Sequence, residues 1–190
     1  MSTQFQWVFD NAATINFNRR AIVAQTTTRS GITRTASRGG QIWRFEVKMP
    51  DGMNWQQARP YIEGIDQADR FTPNLIQINN AGYNSWLTPS LTGVTSTSGS
   101  WTQGTRVVSF ANTLDVGDIV QLGTGHIYSV TGVSGSTTLN RPVLDATGSG
   151  TVTVGPGVTW TLLCSELPQW TIMARDQVQW DGAFKFTEVM

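Results

Sequence analysis

The distribution of charge along the chain is the feature that most restricts how it can fold. Residues 1–84 hold nine basic and six acidic side chains, and ordinary charge density returns in residues 166–190. A composition shift that appears and then reverts predicts one domain inserted into another. We therefore predict an outer domain of residues 1–84 plus 166–190 and an inserted domain of residues 85–165. The predicted insertion has only five charged residues, namely Arg106, Asp115, Asp118, Arg141 and Asp145.

The predicted insertion is built of short strand-like segments and shows no helical periodicity. Gly and Ser separate these segments at intervals of about 8–12 residues, which is typical of an all-β barrel or sandwich. Five or six strands in this length fit a small Greek-key or OB-like barrel. The stretch LTGVTSTSGSWTQGT ahead of them is rich in Gly, Ser and Thr and predicts a loop. The segments are TRVVSF, DIVQLG, HIYSVTGV, STTLNRPV, GTVTVG and VTWTLL.

The outer domain is predicted to consist mainly of strands. QFQWVF alternates apolar and polar residues and predicts a strand, while RRAIVAQTTT and GITRTA, joined by TTTRSGI, predict a β-hairpin. GGQIWRFEVKMP is the strongest strand, and PNLIQINN and QVQWDGAFKFTEV predict further strands, the last with Phe184, Phe186 and Glu188 on one face. The residues of the strongest strand that we expect to face the core are Trp43, Phe45, Val47 and Met49.

One helix is predicted, over NWQQARPYIEGIDQADRF. Asn54 or Asp51 can cap it by accepting hydrogen bonds from free backbone N–H groups. Pro60 is expected to make its first turns irregular or to delay its start. The fold class is therefore mainly β: a sandwich- or barrel-like core domain with one helix, interrupted by a small OB-like β-barrel.

The stretch LDVGDIVQLGTGHIYSVTGV holds Asp115, Asp118 and His126, the only histidine of the chain. It is either an active site or two barrel strands joined by a tight turn. The second interpretation is favoured, because Gly residues suit the turn, Asp side chains stabilise turns, and no partner for catalysis follows from the spacing. Cys164, the only cysteine, lies in an apolar run and predicts an inert buried thiol. No catalytic residue, metal ligand or cofactor is predicted.

Two groups of residues are candidates for contact with other molecules. Arg29, Arg34 and Arg38 are close together in the predicted hairpin, which is either a solvated surface, an interface with an acidic neighbour, or a contact to phosphate. The second group either contacts a glycan or seals the junction of the two domains. It consists of Tyr83, Trp86 and Trp101.

The chain resembles a known family in its whole organisation. FQWVFD, the run from NRRAIVAQTTT to ARPYIEGID, and the closing VQWDGAFKFTEV are similar to the two ends of the core domain of phage distal tail proteins. LDVGDIVQLGTGHIYSVTGV and TLNRPVLDATG are similar to the β-barrel insertion of phage tail-tip and baseplate proteins. The likeness is to the T5-type siphophage proteins, in which an OB-fold domain interrupts a β-sandwich-like core with a helix.

The resemblance implies a structural component of the virion and no enzyme. Proteins of this family form rings, commonly hexamers, that join the tail tube to the tip or baseplate hub. DNA passes through the ring without specific binding, and the inserted barrels lie outside, where they can bind side fibres or a host glycan. We expect assembly in the host cytoplasm and no contact with membranes, because the sequence has neither an N-terminal signal pattern nor a long apolar run. The alternative function is a carbohydrate- or receptor-binding tail module that acts through the barrel.

Overall fold

The computed structural model describes residues 4–19, 23–37, 41–68, 72–88 and 93–189. The protein is mainly β, which confirms the predicted fold class. The helices are α1 (Gln4–Asp10), α2 (Trp55–Gln67) and α3 (Asn84–Leu87), with short 3-10 helices at Ala81–Tyr83 and Gly155–Gly157. The strands are β1 (Thr14–Asn18), β2 (Val23–Thr27), β3 (Thr33–Ser37), β4 (Arg44–Lys48), β5 (Met53–Asn54), β6 (Asn74–Gln77), β7 (Ser96–Trp101), β8 (Val107–Phe110), β9 (Ile119–Leu122), β10 (Ile127–Gly132), β11 (Thr137–Leu139), β12 (Gly148–Val154), β13 (Thr159–Glu166), β14 (Gln169–Met173), β15 (Gln177–Asp181) and β16 (Phe184–Glu188).

A five-stranded antiparallel sheet in the order β1-β4-β16-β13-β6 is the centre of the outer unit. Alternation along β4 and β16 puts apolar side chains on one face, as predicted. Phe5 and Phe9 of α1 pack against Phe186 with ring centroids 5.7 and 5.0 Å apart. The helices and the sheet therefore enclose one large aromatic core.

The second unit is a closed barrel of six strands in the order β10-β11-β8-β7-β12-β9, and every neighbouring pair is antiparallel. Its interior is a separate apolar cluster that includes Val120, Leu122, Val130 and Val152. The prediction of a small barrel of five or six strands is confirmed. The OB-fold has five strands, so this barrel has one more.

The barrel is inserted between β6 and β13, which pair with each other in the outer sheet. Gln77 lies directly opposite Thr159 in that pairing, so the chain leaves and re-enters the sheet at adjacent positions. The predicted bounds of 85–165 are too wide. Residues 159–166 form β13 of the outer sheet, and Leu87 belongs to the outer core. The boundary was misplaced because β13 is also poor in charge.

The N-terminal segment QFQWVF is a helix, so the predicted strand is wrong. Phe5, Val8 and Phe9 recur at helical spacing and are all buried. Trp7 is also buried, because its ring stacks on Tyr61 of α2 with centroids 4.6 Å apart. The alternation in the sequence therefore arises from two helix faces, one packed on the sheet and one on α2.

The segment predicted as a loop ahead of the barrel contains strand β7. It pairs with β12 over six residues although it has no apolar alternation. Gly99 shows why small residues occur here, because a Cβ atom at this position would lie 2.6 Å from the ring of Phe110. The ladder with β12 and the close approach of the Phe110 ring place this strand, and Thr97 is its one buried side chain.

Helix α2 begins at Trp55, and Asn54 is its N-cap, with Oδ1 accepting from the backbone N–H of Gln56 at 2.9 Å. Pro60 lies inside the helix, which continues through it to Gln67. The expected irregular or delayed start is therefore wrong. The apolar stripe of Ala58, Ile62 and Ile65 is buried, so packing of this face outweighs the hydrogen bond that proline cannot donate.

Two smaller β-elements complete the outer unit. The predicted hairpin is confirmed as β2 and β3, joined by a turn in which Gly31 has a φ of 78°. A three-stranded sheet in the order β14-β15-β5 packs beside α2, where Trp170 stacks on Trp55 at 5.1 Å. The C-terminal segment predicted as one strand is thus two, β15 and β16.

The free edge of β6 is blocked by a side chain. The carboxamide of Gln6 donates to the carbonyl of Gln77 at 2.7 Å and accepts from its N–H at 2.9 Å. One side chain thereby makes the two hydrogen bonds that a further strand would make.

Replacement Gln6→Ala should lower the free energy of unfolding by about 1–3 kcal/mol, since the two hydrogen bonds to Gln77, of about 0.5–1.5 kcal/mol each, are lost together with an exposed one to the carboxylate of Asp10. Urea denaturation would measure the change, with Gln4→Ala on the exposed side of the same helix as the control. Equal effects of the two substitutions would show that the contact to Gln77 contributes nothing.

Candidate functional site: the seam between barrel and sheet

A buried ion pair joins the barrel to the outer sheet. The guanidinium of Arg141, which follows β11, donates from Nη2 to Oε1 of Glu188 at 2.6 Å and from Nη1 to Oε2 at 2.9 Å. The two side chains are 1% and 4% exposed. Such a two-pronged pair fixes orientation as well as distance. It is one part of the seam, which we define as the contacts of Arg141, Glu188, Gln41, Asn140 and Gln121 across the two units.

Nη1 and Nη2 of Arg141 also donate to backbone carbonyls on both sides of the seam. Nη2 donates to Ile127 at 2.8 Å and Nη1 to Gln41 at 2.5 Å. The indole of Trp43 also donates to the Ile127 carbonyl, at 3.3 Å. A buried cation must be paired and hydrogen-bonded to be tolerated, and these partners meet that need.

Two carboxamides extend the network. Asn140 donates to Oε1 of Gln41 at 2.8 Å and accepts from the backbone N–H of Ser129. Gln121 of β9 exchanges two hydrogen bonds with the backbone of Thr159, each 3.0 Å long, where the chain re-enters the sheet. The seam is therefore polar and ordered, and it holds the barrel in one orientation.

The stretch LDVGDIVQLGTGHIYSVTGV contributes Gln121 and the carbonyl of Ile127 to the barrel side of this seam. It is the hairpin β9–β10, as predicted, and both faces of each strand are buried along residues 119–122 and 127–130. Ile119 and Ile127 belong to the outer core, whereas Val120 and Tyr128 belong to the barrel core. One hairpin thus serves two cores.

His126 belongs to a cluster centred on Asp145. The carboxylate accepts from the backbone N–H of His126 at 3.0 Å, contacts its Nδ1 at 3.0 Å, and accepts from the hydroxyl of Tyr128 at 2.7 Å. The same hydroxyl accepts from the N–H of Leu144 at 2.9 Å. Burial and the hydrogen bond to Asp145 raise the pKa of Tyr128, because both disfavour the phenolate. The cluster ties the loop after β11 to β10.

An aspartate that orients a histidine is also part of hydrolytic triads, which need a hydroxyl or thiol nucleophile on the histidine. In the described part of the chain, Asp145 is the only side chain that hydrogen-bonds the ring of His126. The adjacent cleft, between Thr124, His126 and Thr161, measures about 170 Å³, against about 300–1,000 Å³ for typical small-molecule sites. The geometry therefore supports a structural role for His126.

Asp115 and Asp118 close the turn before β9, as predicted. Asp118 is buried, and its Oδ2 accepts from the backbone N–H of Asp115 at 2.8 Å. Cys164 is buried in the outer core, which confirms the predicted environment of the thiol. Among the described residues, no three His, Cys, Asp or Glu side chains are grouped to hold a metal ion.

The three arginines of the predicted interface lie in or beside the β2–β3 hairpin. Arg29 is exposed in its turn and Arg34 is part of β3, whereas Arg38 lies outside the described residues. The structure therefore places Arg29 and Arg34 on one hairpin. Their role in an interface stays a prediction.

The three aromatic residues of the predicted glycan surface belong to different units. Trp86 packs among the outer core's aromatic rings, 3.8 Å from Phe17 between centroids, and the hydroxyl of Tyr83 donates to Ala13 at 3.2 Å. Trp101 lies on the barrel and donates to the carbonyl of Ala146 at 2.9 Å. The structure does not bring them together as one surface, and glycan contact stays a prediction.

The sequence reasoning missed Arg141 and most of the seam. A signal was present at Glu188, since the alternation with Phe184 and Phe186 places a carboxylate on the buried face of β16. A buried carboxylate requires a cationic partner. The cations of the predicted insertion are Arg106 and Arg141. The sequence does not distinguish them, and in the structure Arg106 is exposed whereas Arg141 pairs with Glu188.

No protein-family model matches this sequence, and none of the curated proteins matches it either. Among the helices that lie in the described ranges, none has the length and apolar character needed to span a membrane.

Removing one member of the buried pair should destabilise the protein strongly. Arg141→Met leaves the carboxylate of Glu188 buried without its cation, and Glu188→Gln leaves the guanidinium of Arg141 buried without its anion. Each should cost about 3–5 kcal/mol in the free energy of unfolding. The double variant Arg141→Met/Glu188→Gln should cost less than the sum of the two single variants, because neither charge remains. A double-mutant cycle in urea would measure this, and additive single effects would contradict the coupling.

The raised pKa of Tyr128 predicts a loss of stability in alkali. An unfolded tyrosine loses its proton near pH 10, while the folded protein still holds it, so the stabilising contribution is complete below about pH 10 and declines above it. Denaturation midpoints across this range should fall more steeply for the wild type than for Tyr128→Phe. Parallel curves for the two proteins would contradict the assignment.

Proposed function

We propose that this protein is a structural subunit of a phage tail tip or baseplate, a ring-forming distal tail protein that joins the tail tube to the tip hub. The observation that carries the proposal is the layout of the chain. A barrel is spliced between β6 and β13, neighbouring strands of a helix-bearing outer sheet. The resembled family has this organisation, with an OB-fold in the place of the six-stranded barrel.

The contacts of the seam favour a barrel that is fixed to the outer unit over a barrel that moves relative to it. Two units that close and open around a ligand need a hinge, whereas here a buried ion pair and several hydrogen bonds connect them. A fixed barrel can present an outward surface at a constant position on each subunit of a ring. In this proposal that surface serves side fibres.

A ring also accounts for exposed apolar groups on the outer unit. Closed symmetric assemblies cover strand edges and apolar surface that a monomer leaves open to solvent. The most exposed examples in this unit are Leu75 (65%), Ile32 (58%), Met173 (49%) and Ile172 (46%).

The proposed partners are further copies of the chain, commonly six, the tail tube protein and the tip or baseplate hub. DNA passes through the central channel without a specific site, and the location is the virion after assembly in the host cytoplasm. In this proposal no residue is catalytic and no cofactor is needed.

The purified protein should form a discrete ring of about six subunits, the number typical of the resembled family, in native mass spectrometry and negative-stain images. Reversing charge with Arg29→Glu, Arg34→Glu and Arg38→Glu together should dissolve the ring and leave the monomer folded, since like charges would then meet across the contact. Arg106→Glu, on the exposed surface of the barrel, is the matched control.

A monomer or trimer that binds a glycan and loses binding in Trp101→Ala would contradict the ring and favour a carbohydrate-binding tail module. A ring that survives the triple reversal would leave the arginines as a solvated surface.

A further inference from the structure

We propose that the β2–β3 hairpin of one subunit adds to the free edge of β14 in a second copy of this chain. The two strands of the hairpin and the three strands of the β14-β15-β5 sheet would then form one sheet across the contact. The inference rests on the ring proposed above and names the two surfaces that meet in it.

The hairpin has no third strand beside it in the described part of the chain. Within the described residues, β2 and β3 pair only with each other, over five positions from Val23 opposite Ser37 to Thr27 opposite Thr33. An isolated two-stranded hairpin is marginally stable in water and is stabilised by a third strand. Its tip exposes Ile32, 58% accessible, beside the turn residue Arg29. The ribbon therefore offers two open edges and an apolar tip.

Strand β14 is the matching edge. Among the described strands it pairs with β15 alone, and four of its five residues are exposed, including Ile172 and Met173. Proteins usually protect such an edge with a charge, a proline or a bulge. β14 has the sequence QWTIM and an uninterrupted register with β15, so it has none of these.

The edge of β6 differs from the edge of β14 in being occupied. The edge of β6 is occupied at Gln77 by the carboxamide of Gln6. The same chain therefore blocks one strand edge with a side chain and leaves an apolar edge on β14 open to an incoming strand. Strand addition supplies main-chain hydrogen bonds for affinity and side-chain contacts for specificity.

The charges of the two surfaces are opposite. Residues 23–37 contain Arg29 and Arg34 and no acidic residue. The three-stranded sheet and its turns carry Asp51, Asp176 and Asp181, all exposed, against one cation, Arg175. Complementary charge steers two surfaces together and suppresses wrong pairings. It favours this edge over a contact between two hairpins, which would place arginines against arginines.

A contact between two different surfaces of one chain is heterologous, so each subunit gives a hairpin to one neighbour and receives one from the other. Such contacts close into a ring when the rotation permits. The occupant of the β14 edge is thus a second copy, and each copy supplies both halves of the contact.

A charge-swap experiment tests the pairing with the full chain. The hairpin variant Arg29→Glu/Arg34→Glu and the sheet variant Asp176→Lys/Asp181→Lys should each fail to assemble alone, with a dissociation constant raised about a hundredfold, because like charges meet at every contact. Mixed in equal amounts they should assemble into rings of alternating subunits, because every hairpin then meets a sheet of opposite charge. Native mass spectrometry distinguishes the two chains by mass, and circular dichroism checks that each is folded.

The outcomes separate the two proposals. A wild-type protein that stays monomeric at high concentration overturns the ring and this contact together. A ring that forms from either variant alone, or two variants that fail alone and also fail when mixed, overturns the docking of hairpin on β14 and leaves the ring proposal in place.

Disulfide trapping provides a second measurement that does not depend on charge. Ile32→Cys and Met173→Cys chains, mixed and oxidised, should form a mixed disulfide-linked dimer, and the chain carrying both substitutions should form a covalent ladder. The native Cys164 is buried and contributes little background. Val107→Cys, at a barrel position that is 54% exposed, is the matched control for Ile32. Equal yields with Val107→Cys overturn the contact.

Discussion

The buried pair of Arg141 and Glu188 is the interaction on which the arrangement of the two units depends. Each unit has its own apolar core, so burial alone would stabilise both without fixing how they meet. Hydrophobic contact has no direction. The guanidinium, in contrast, can donate to a carboxylate and two carbonyls only within a narrow range of geometries. The pair therefore fixes the orientation of the barrel relative to the outer sheet. It also makes the two units interdependent, because either charge left alone would be costly in this interior.

The hairpin β9–β10 explains how one short stretch can belong to both units. Its odd and even positions face different cores, and Gln121 stands on the outer side, where its carboxamide holds the strand that returns to the sheet. A strand buried on both faces is usual in the middle of layered sheets. Here it occurs in a small barrel because the outer unit covers one flank. His126, in the turn between the two strands of this hairpin, is hydrogen-bonded to Asp145 as part of the same packing.

Periodicity and turn residues predicted much of the fold. The alternation of β4, the hairpin at TTTRSGI, the stripe of α2 and the barrel segments all have local signals, and the structure confirms them. The failures have physical causes. The N-terminal helix buries two faces and so imitates a strand, while β7 is held by a ring packed on Gly99, which leaves no pattern in its own residues. The buried position of Glu188 follows from the alternation of β16, but its partner Arg141 follows only from the tertiary structure. The hydrogen-bonding positions of Gln41 and Asn140 follow only from the tertiary contact.

The pairing of Gln77 with Thr159 has an evolutionary consequence. The two ends of the inserted segment emerge from adjacent strands, and the side chain of Gln77 donates to the hydroxyl of Thr159 at 2.9 Å. The attachment points themselves fix only the distance between the ends of the inserted segment, whereas the buried carboxylate of Glu188 also requires a cation from that segment. Recombination could therefore exchange the whole barrel only for a segment that supplies a new partner for Glu188, or together with a change of Glu188 itself.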